Sequence, residues 1–494
     1  MSSPASQPVL PPESRLPCPA CGALILRGAR KCKACRSWLV PPPKGRPLPK
    51  GYRGMTLIGA AVIAVAAVLI SRRDTPVGDA PPLTPISEGS AVVSASVPQQ
   101  AGPPGARAGQ PNAAALPADG AESTGKRGNT GYRWRTRTIG IDVHPLDLVF
   151  HPSGRSLYVS GNDATLWEYD VTTGKVLHMA TMPAQGDRLR LLADRYLAII
   201  RHVDAGHIPV LDTDHWERDP KLFYVGAGPA DILALPDGKT AVTASSLGKR
   251  LSWFELESGR RLGDIRVPHA TRHLFLLRAG ERSYVGAMGQ LVRAGDPAGA
   301  WIDIFDPSEA PFGATRRSIA VGREPRPGAV IDDGSALFFA DRASNSAGLL
   351  RLADATDTTT VPVGQSPEAA LVMANERYGI TLNSQARTAT VVDIPRMERT
   401  ATLMLAGSPR AGATDADGTA LFVSLGGTAW PPTGTGIAVI AGDPPKVVAS
   451  FDTDKGASRV VSTTDGSMAA VASYWGKSIT LVQRARDDDD ATVK

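Results

Sequence analysis

The chain has 494 residues, with 42% hydrophobic, 21% charged and 5% aromatic side chains, 50 glycines, 41 prolines and a formal charge of +6. That hydrophobic fraction excludes a chain without a core, and the many turn formers favour short elements over long helices. The basicity is local: residues 1–54 carry ten Lys/Arg against Glu13 alone, residues 71–131 are balanced, and the region from 132 onward is net acidic, so charge does not argue for nucleic-acid binding by that large region.

Residues 1–17 read as a disordered N-terminus. All four cysteines follow, in "CPACGALILRGARKCKACRSWL" at 18–39. Two Cys-x-x-Cys pairs, Cys18/Cys21 and Cys32/Cys35, stand ten residues apart. A tetrahedral four-thiolate zinc site needs two such pairs joined by a short loop; the alternative is four free or redox-active thiols. The segment resembles short bacterial zinc-ribbon modules of "CPxCG…CxxC" type. Cys18, Pro19, Cys21 and Gly22 match the first knuckle; Cys32-Lys-Ala-Cys35 lacks the Pro and Gly often found in the second. The resemblance implies one structural zinc ion on Cys18, Cys21, Cys32 and Cys35, with no open position for catalysis.

A basic linker at 40–54 leads to "MTLIGAAVIAVAAVLI" at 55–70, which carries no charge. At about 1.5 Å per residue this run spans roughly 24 Å, and flanking residues with snorkelling Arg53 and Arg72 extend it toward a ~30 Å hydrocarbon core. Residues 55–71 therefore read as a single transmembrane helix, with a buried core helix as the alternative. Lys44, Arg46, Lys50 and Arg53 precede it, whereas only Arg72 and Arg73 follow closely. The positive-inside rule places the N-terminus in the cytoplasm and the bulk of the chain in a periplasmic or extracellular space. Residues 72–131, rich in Pro, Ala and Gly, cannot bury enough apolar surface to fold and read as a disordered tether.

Residues 132–485 repeat. "PLDLVFHPSGRSLYVSGNDATLWEYDVTTGKVLHM" from Pro145 parallels "PADILALPDGKTAVTASSLGKRLSWFELESGRRLGD" from Pro229. Each predicts four short strands, the third carrying Tyr169 or Phe254. Further units start near Gly186, Ala270, Pro327, Pro367, Pro409 and Ala457. Four strands every forty-odd residues is the pattern of a β-propeller blade, so the fold class is all-β, with eight blades by count and seven as the alternative. The last unit lacks a fourth strand, and "RTRTIGIDV" at 135–143 is expected to complete it and lock the ring. "SLYVSGND" at 156–163, with looser copies "ALFFADRASN" and "ALFVSLGG", resembles the YVTN family of bacterial propellers, relatives of WD-repeat proteins. The resemblance implies fold and leaves function open. Residues 486–494 are an acidic tail.

Two residues beyond the unit starts lie Asp147, Arg188, Asp231 and Arg272, alternating acid and base. Such a ring at the channel mouth either holds a polar ligand or satisfies itself by inter-blade ion pairing. The eight histidines all fall between His144 and His273 and read as scattered surface residues. No Gly-x-Ser-x-Gly elbow, Walker loop or dinucleotide fingerprint is present. Two insertions stand out, one at 293–313 with Trp301 and Phe305, the other "GGTAWPPTGTG" at 426–436 with Trp430. Long loops on a rigid ring are the usual place for partner contact, and an exposed Trp beside Pro-Pro suits an anchor; the alternative is a Trp folded back to cover a blade edge. These readings converge on a membrane-anchored, non-catalytic binding or scaffold module of the bacterial envelope, whose partner is an envelope protein or cell-wall component. The alternative is a propeller enzyme, a lactonase-like hydrolase or a dehydrogenase-like oxidoreductase, with its site at the channel mouth.

Overall fold

The structure, a computed structural model, describes residues 132–183, 185–200, 206–289, 299–308, 316–353 and 358–486, with the short strands Arg15–Pro17, Leu24–Leu26 and Ser123–Thr124. The chain divides into two compact units, Met1–Pro85 and Ile86–Lys494. In the first, Arg15–Pro17 pairs antiparallel with Leu24–Leu26, Arg15 opposite Leu26 and Pro17 opposite Leu24. The four cysteines and residues 55–71 lie outside the described residues. Among the described residues no helix is long and apolar enough to cross a membrane.

The second unit is an eight-bladed β-propeller. Its inner strands are Pro145–Phe150, Arg188–Leu192, Pro229–Ala234, Thr271–Ala279, Pro325–Ile331, Pro367–Met373, Ala411–Thr414 and Ala457–Ser462. Each meets its neighbour, and the eighth meets the first, so the ring closes. The unit starting near Ala270, the weakest in sequence, is a full four-stranded blade. Blade 8 is completed by Tyr132–Gly140, which pairs with Ser478–Arg486 from Tyr132↔Arg486 to Gly140↔Ser478. The N-terminal strand thus locks the ring as expected.

The alternation of side chains along a strand explains why the ring is needed. In the second strand of blade 1, Leu157 and Val159 pack into the seam with blade 8, while Tyr158 between them packs toward blade 2. The same split recurs around the ring, and the core consists of eight apolar clusters, one in each seam between adjacent blades. A lone blade has no interior, since both its faces are apolar and unpartnered. The outermost strands, such as Val176–Thr181, are largely exposed. Turn glycines follow the Pro-Ser-Gly and Pro-Asp-Gly motifs: Gly154 and Gly238 have φ of 68° and 64°, where a side chain is strained.

Candidate functional site

Asp147 and Asp231 occupy equivalent places near the start of the inner strands of blades 1 and 3. Both follow a register shift, between Pro145 and Asp147 and between Pro229 and Asp231. A proline suits that strand entry because it has no N–H to donate to the ladder. Each carboxylate joins two blades in the same way. Asp147 accepts the amide of Leu148 at 3.0 Å and that of Leu189 in blade 2 at 2.8 Å. Asp231 accepts the amide of Ile232 at 3.1 Å and that of Leu274 in blade 4 at 3.0 Å.

Arginines complete the stapling. Arg190 Nε lies 3.1 Å from Asp231 Oδ1, and the fully buried Arg188 lies 3.7 Å from the same oxygen. Arg188 also donates to the Ala230 carbonyl at 3.1 Å. Arg459 of blade 8 lies 3.6 Å from Asp147 and reaches the Asp187 carbonyl at 3.4 Å. Across blades 5 and 6, Arg326 and Arg342 share Glu324 and Glu368 at 2.9–3.4 Å.

Three of the sequence-derived ring residues, Asp147, Arg188 and Asp231, are thus brought together, but buried between blades. Two residues beyond the sequence-derived unit starts of blades 5 and 6 lie Ala329 and Ala369, packed in apolar seams. Arg272 is only half-buried and falls in the register shift of blade 4, between Thr271 and His273. Strand entry at Thr271, one residue later than the repeat spacing implied, gives the place equivalent to Asp147 to His273. That histidine is buried, not at the surface as its sequence context implied, and its Nδ1 has no hydrogen-bond partner among the described residues. Burial first, then Arg188, holds its pKa well below the usual value, so it is neutral there. The later strand entry leaves no mark in the sequence.

Two Ser–carboxylate–His groupings occur. Ser156 Oγ and His178 Nδ1 bond Glu168 at 2.6 and 2.8 Å, and Ser318 and His269 bond Asp303 at 2.5 and 3.0 Å. In both the carboxylate lies between serine and histidine, so the histidine cannot take the serine proton. His269 also stacks on Trp301 at 4.2 Å between ring centres, fastening blade 4. A Ser–His hydrogen bond occurs at His151–Ser153, 2.8 Å, but there the same Nδ1 also accepts the Ser153 amide within one exposed turn. Among the described residues, no group of three or more His, Cys, Asp or Glu is placed to hold a metal ion.

The insertion near Trp301 resolves differently from the sequence reading. Trp301–Phe305 is the third strand of blade 4, and Phe305 is fully buried in the seam with blade 3. Residues 426–436 do form an outlying loop. It is tied down by Thr433 and Gly434 amides to Gly426 O, at 3.1 and 2.9 Å, and by Gly456 and Ala457 amides to Gly434 O. Trp430 stands 41% exposed on it, and Trp475 of blade 8 is 47% exposed. Tyr474 connects them, 5.9 Å from Trp430 and 5.1 Å from Trp475, and stacks on His144 at 4.8 Å. Under the loop lies Arg410, buried, donating through Nη1 to Gly427 O at 2.9 Å and Ala429 O at 2.8 Å. Its guanidinium faces the Trp430 ring at 5.3 Å. Sequence reading found the tryptophan and missed Tyr474 and Arg410, which reach it from other segments of the chain, and Trp475, which joins it through Tyr474. A separate open groove of about 560 Å³ runs by the seam of blades 7 and 8, where Asp443, Lys446 and Arg484 are its charged lining residues.

No protein-family model matches the chain. No curated protein matches it either. Among solved structures, "Kuenenia stuttgartiensis Hydrazine Synthase" is similar at 17% identity, covering 71% of this chain and 98% of that one, with a TM-score of 0.48.

Proposed function

We propose that this chain is a non-catalytic binding module of the bacterial cell envelope, a propeller that presents the Trp430 loop to an envelope protein or cell-wall component. One observation carries the reading. Two half-exposed tryptophans, Trp430 and Trp475, flank Tyr474 on a loop and a turn pinned by hydrogen bonds, so an aromatic surface is displayed at little ordering cost. The charges near the axis, by contrast, are largely spent on each other and on backbone amides, as a stapling role requires.

In this reading residues 55–71 anchor the chain as a single-pass helix and residues 72–131 tether the ring on the periplasmic or extracellular side. Cys18, Cys21, Cys32 and Cys35 hold one structural zinc ion on the cytoplasmic side. The pairing of Arg15–Pro17 with Leu24–Leu26, on either side of Cys18 and Cys21 in sequence, supports that assignment. The zinc supplies cross-linking of the small module and no chemistry.

A second reading, an enzyme with a site at the channel mouth, draws on Asp147. Burial holds its carboxyl above the usual range in spite of Arg459. Both its oxygens are already committed to the Leu148 and Leu189 amides, which weighs against a role in proton transfer.

The experiment is capture from detergent-solubilised envelope by the full chain and by its Trp430→Ala variant, with mass spectrometry of what is retained. One dominant protein lost in Trp430→Ala is the expected result. Equal retention by both would move the contact elsewhere on the ring, and no retention by either would end the binding-module reading.

A further inference from the structure

Arg410 is the odd member of the arginine set. Arg188, Arg190, Arg326, Arg342 and Arg459 each lie within 4 Å of a carboxylate. Arg410 is just as buried, 5% exposed, yet among the described residues it has no carboxylate partner. Among the described residues its hydrogen bonds leave from Nη1, to Gly427 O and Ala429 O. The edge formed by Nε and Nη2, the face of a guanidinium that takes an oxyanion in bidentate fashion, carries no hydrogen bond from the described residues.

The surroundings do not neutralise it. The Arg410 side chain runs along Gly426, whose missing Cβ would fall 3.1 Å from Arg410 Cδ and against the Ala457 carbonyl, so the guanidinium is carried to the start of blade 8's inner strand. Arg459 stands two residues along that strand. Burial, then repulsion from Arg459, draws the Arg410 pKa down to about 10, with Glu368 offsetting part of it. A largely buried cation beside a second cation, with its chelating edge unused, favours an anionic partner there.

We propose that Arg410 is an oxyanion site: its Nε–Nη2 edge takes a carboxylate or phosphate group of the ligand, and Trp430, stacked on the same guanidinium, meets the flat or apolar body next to that group. This rests on the reading of the Trp430 loop as the contact surface and specifies its chemistry. Bidentate Arg–oxyanion pairing supplies orientation, and a ring against Trp430 supplies apolar burial.

The test uses the full chain labelled with ¹⁵N at tryptophan, with the Trp430 indole resonance assigned by Trp430→Phe. Phenyl phosphate and phenylacetate are the probes, and benzyl alcohol is the uncharged control. The Trp430 indole is expected to shift saturably with at least one of the two anions and not with benzyl alcohol; the tighter anion identifies phosphate or carboxylate as the group carried. Arg410→Gln should weaken that binding by about tenfold or more. Because Arg410→Gln also removes the cap on two loop carbonyls, Arg410→Lys is measured beside it. Lysine keeps the charge but loses the bidentate edge, and the same order of weakening is expected.

Absence of a shift with either anion, or an unchanged affinity in a folded Arg410→Lys chain, would overturn the proposal. The envelope capture separates the two readings. A partner lost in Trp430→Ala but fully retained by Arg410→Lys overturns the oxyanion site and leaves the binding module. Anion binding that depends on Arg410 in a chain that captures nothing upholds the site and removes the partner.

Discussion

Asp147 and Asp231 share a register position and a staple geometry, yet they are held on opposite sides of the normal carboxylate range. Burial raises both. At Asp231 the paired guanidiniums of Arg190 and Arg188 outweigh it and draw the pKa down to about 2, whereas at Asp147 one arginine at 3.6 Å does not. The signs have opposite consequences. A depressed folded pKa contributes stability that is complete above the unfolded value near 4 and is lost as pH falls through about 2. The shift corresponds to about 2 kcal/mol. Asp147, with its raised pKa, favours folding in its protonated form and contributes nothing to that acid limb. Asp231→Asn should therefore lose roughly 2 kcal/mol at pH 7 and flatten the decline of stability between pH 4 and pH 2. Asp147→Asn should leave that decline in place. Urea unfolding at pH 2, 3, 4 and 7 reads both, and an unchanged acid limb in Asp231→Asn would show that its arginines do not hold the charge.

At the scale of the strand, glycines make room for aromatic rings across the seams. A Cβ on Gly379, in the second strand of blade 6, would fall 2.3 Å from the ring of Phe338 in blade 5, which is fully buried and has nowhere to move. Within blades, Gly286 lies under Phe275 and Gly348 under Phe339 in the same manner. Gly379→Ala is accordingly expected to cost about 1–3 kcal/mol by overpacking. Gly140 is the control: its Cβ would meet nothing within 4 Å and its φ is not left-handed. Gly140→Ala should stay within about 0.5 kcal/mol of wild type. Equal melting of the two variants would mean that the Phe338 seam yields more readily than its packing implies.

The ring as a whole has one closure of a different kind. Seven blades take four consecutive strands, whereas blade 8 takes three from the C-terminal end and its fourth strand, Tyr132–Gly140, from before blade 1, with Ser123–Thr124 paired outside it. That strand also brings Ile139 into the seam of blades 8 and 1 and Trp134 into the seam of blades 7 and 8. Deleting residues 132–140 should expose a bare strand edge at Ser478–Arg486 and open both seams. The expected outcome is loss of the single cooperative unfolding transition, with self-association, read by calorimetry and by light scattering. A deletion chain that still melts cooperatively as a monomer would show that the ring closes through its inner strands alone.

Most of the fold was legible in the sequence because a propeller is written as a period. Apolar alternation, Pro-Ser-Gly and Pro-Asp-Gly turns and a forty-odd-residue spacing are local signals repeated often enough to count, and the surplus strand at 135–143 against the missing strand at the end determined the manner of closure. Trp430 was legible too, as an aromatic in a Pro- and Gly-rich insertion. Tertiary structure decided what depends on neighbours distant in sequence. It placed Asp147 and Asp231 in seams between blades, where their carboxylates bond amides some forty residues away. It moved His273 into register through a one-residue shift, turned Trp301 and Phe305 from a loop into a strand, and set Arg410 beneath Trp430 with no carboxylate partner among the described residues. The physical reason is the same in each case: strand patterning specifies which side chains leave the solvent, whereas burial between blades determines which partners they find and therefore what charge they carry.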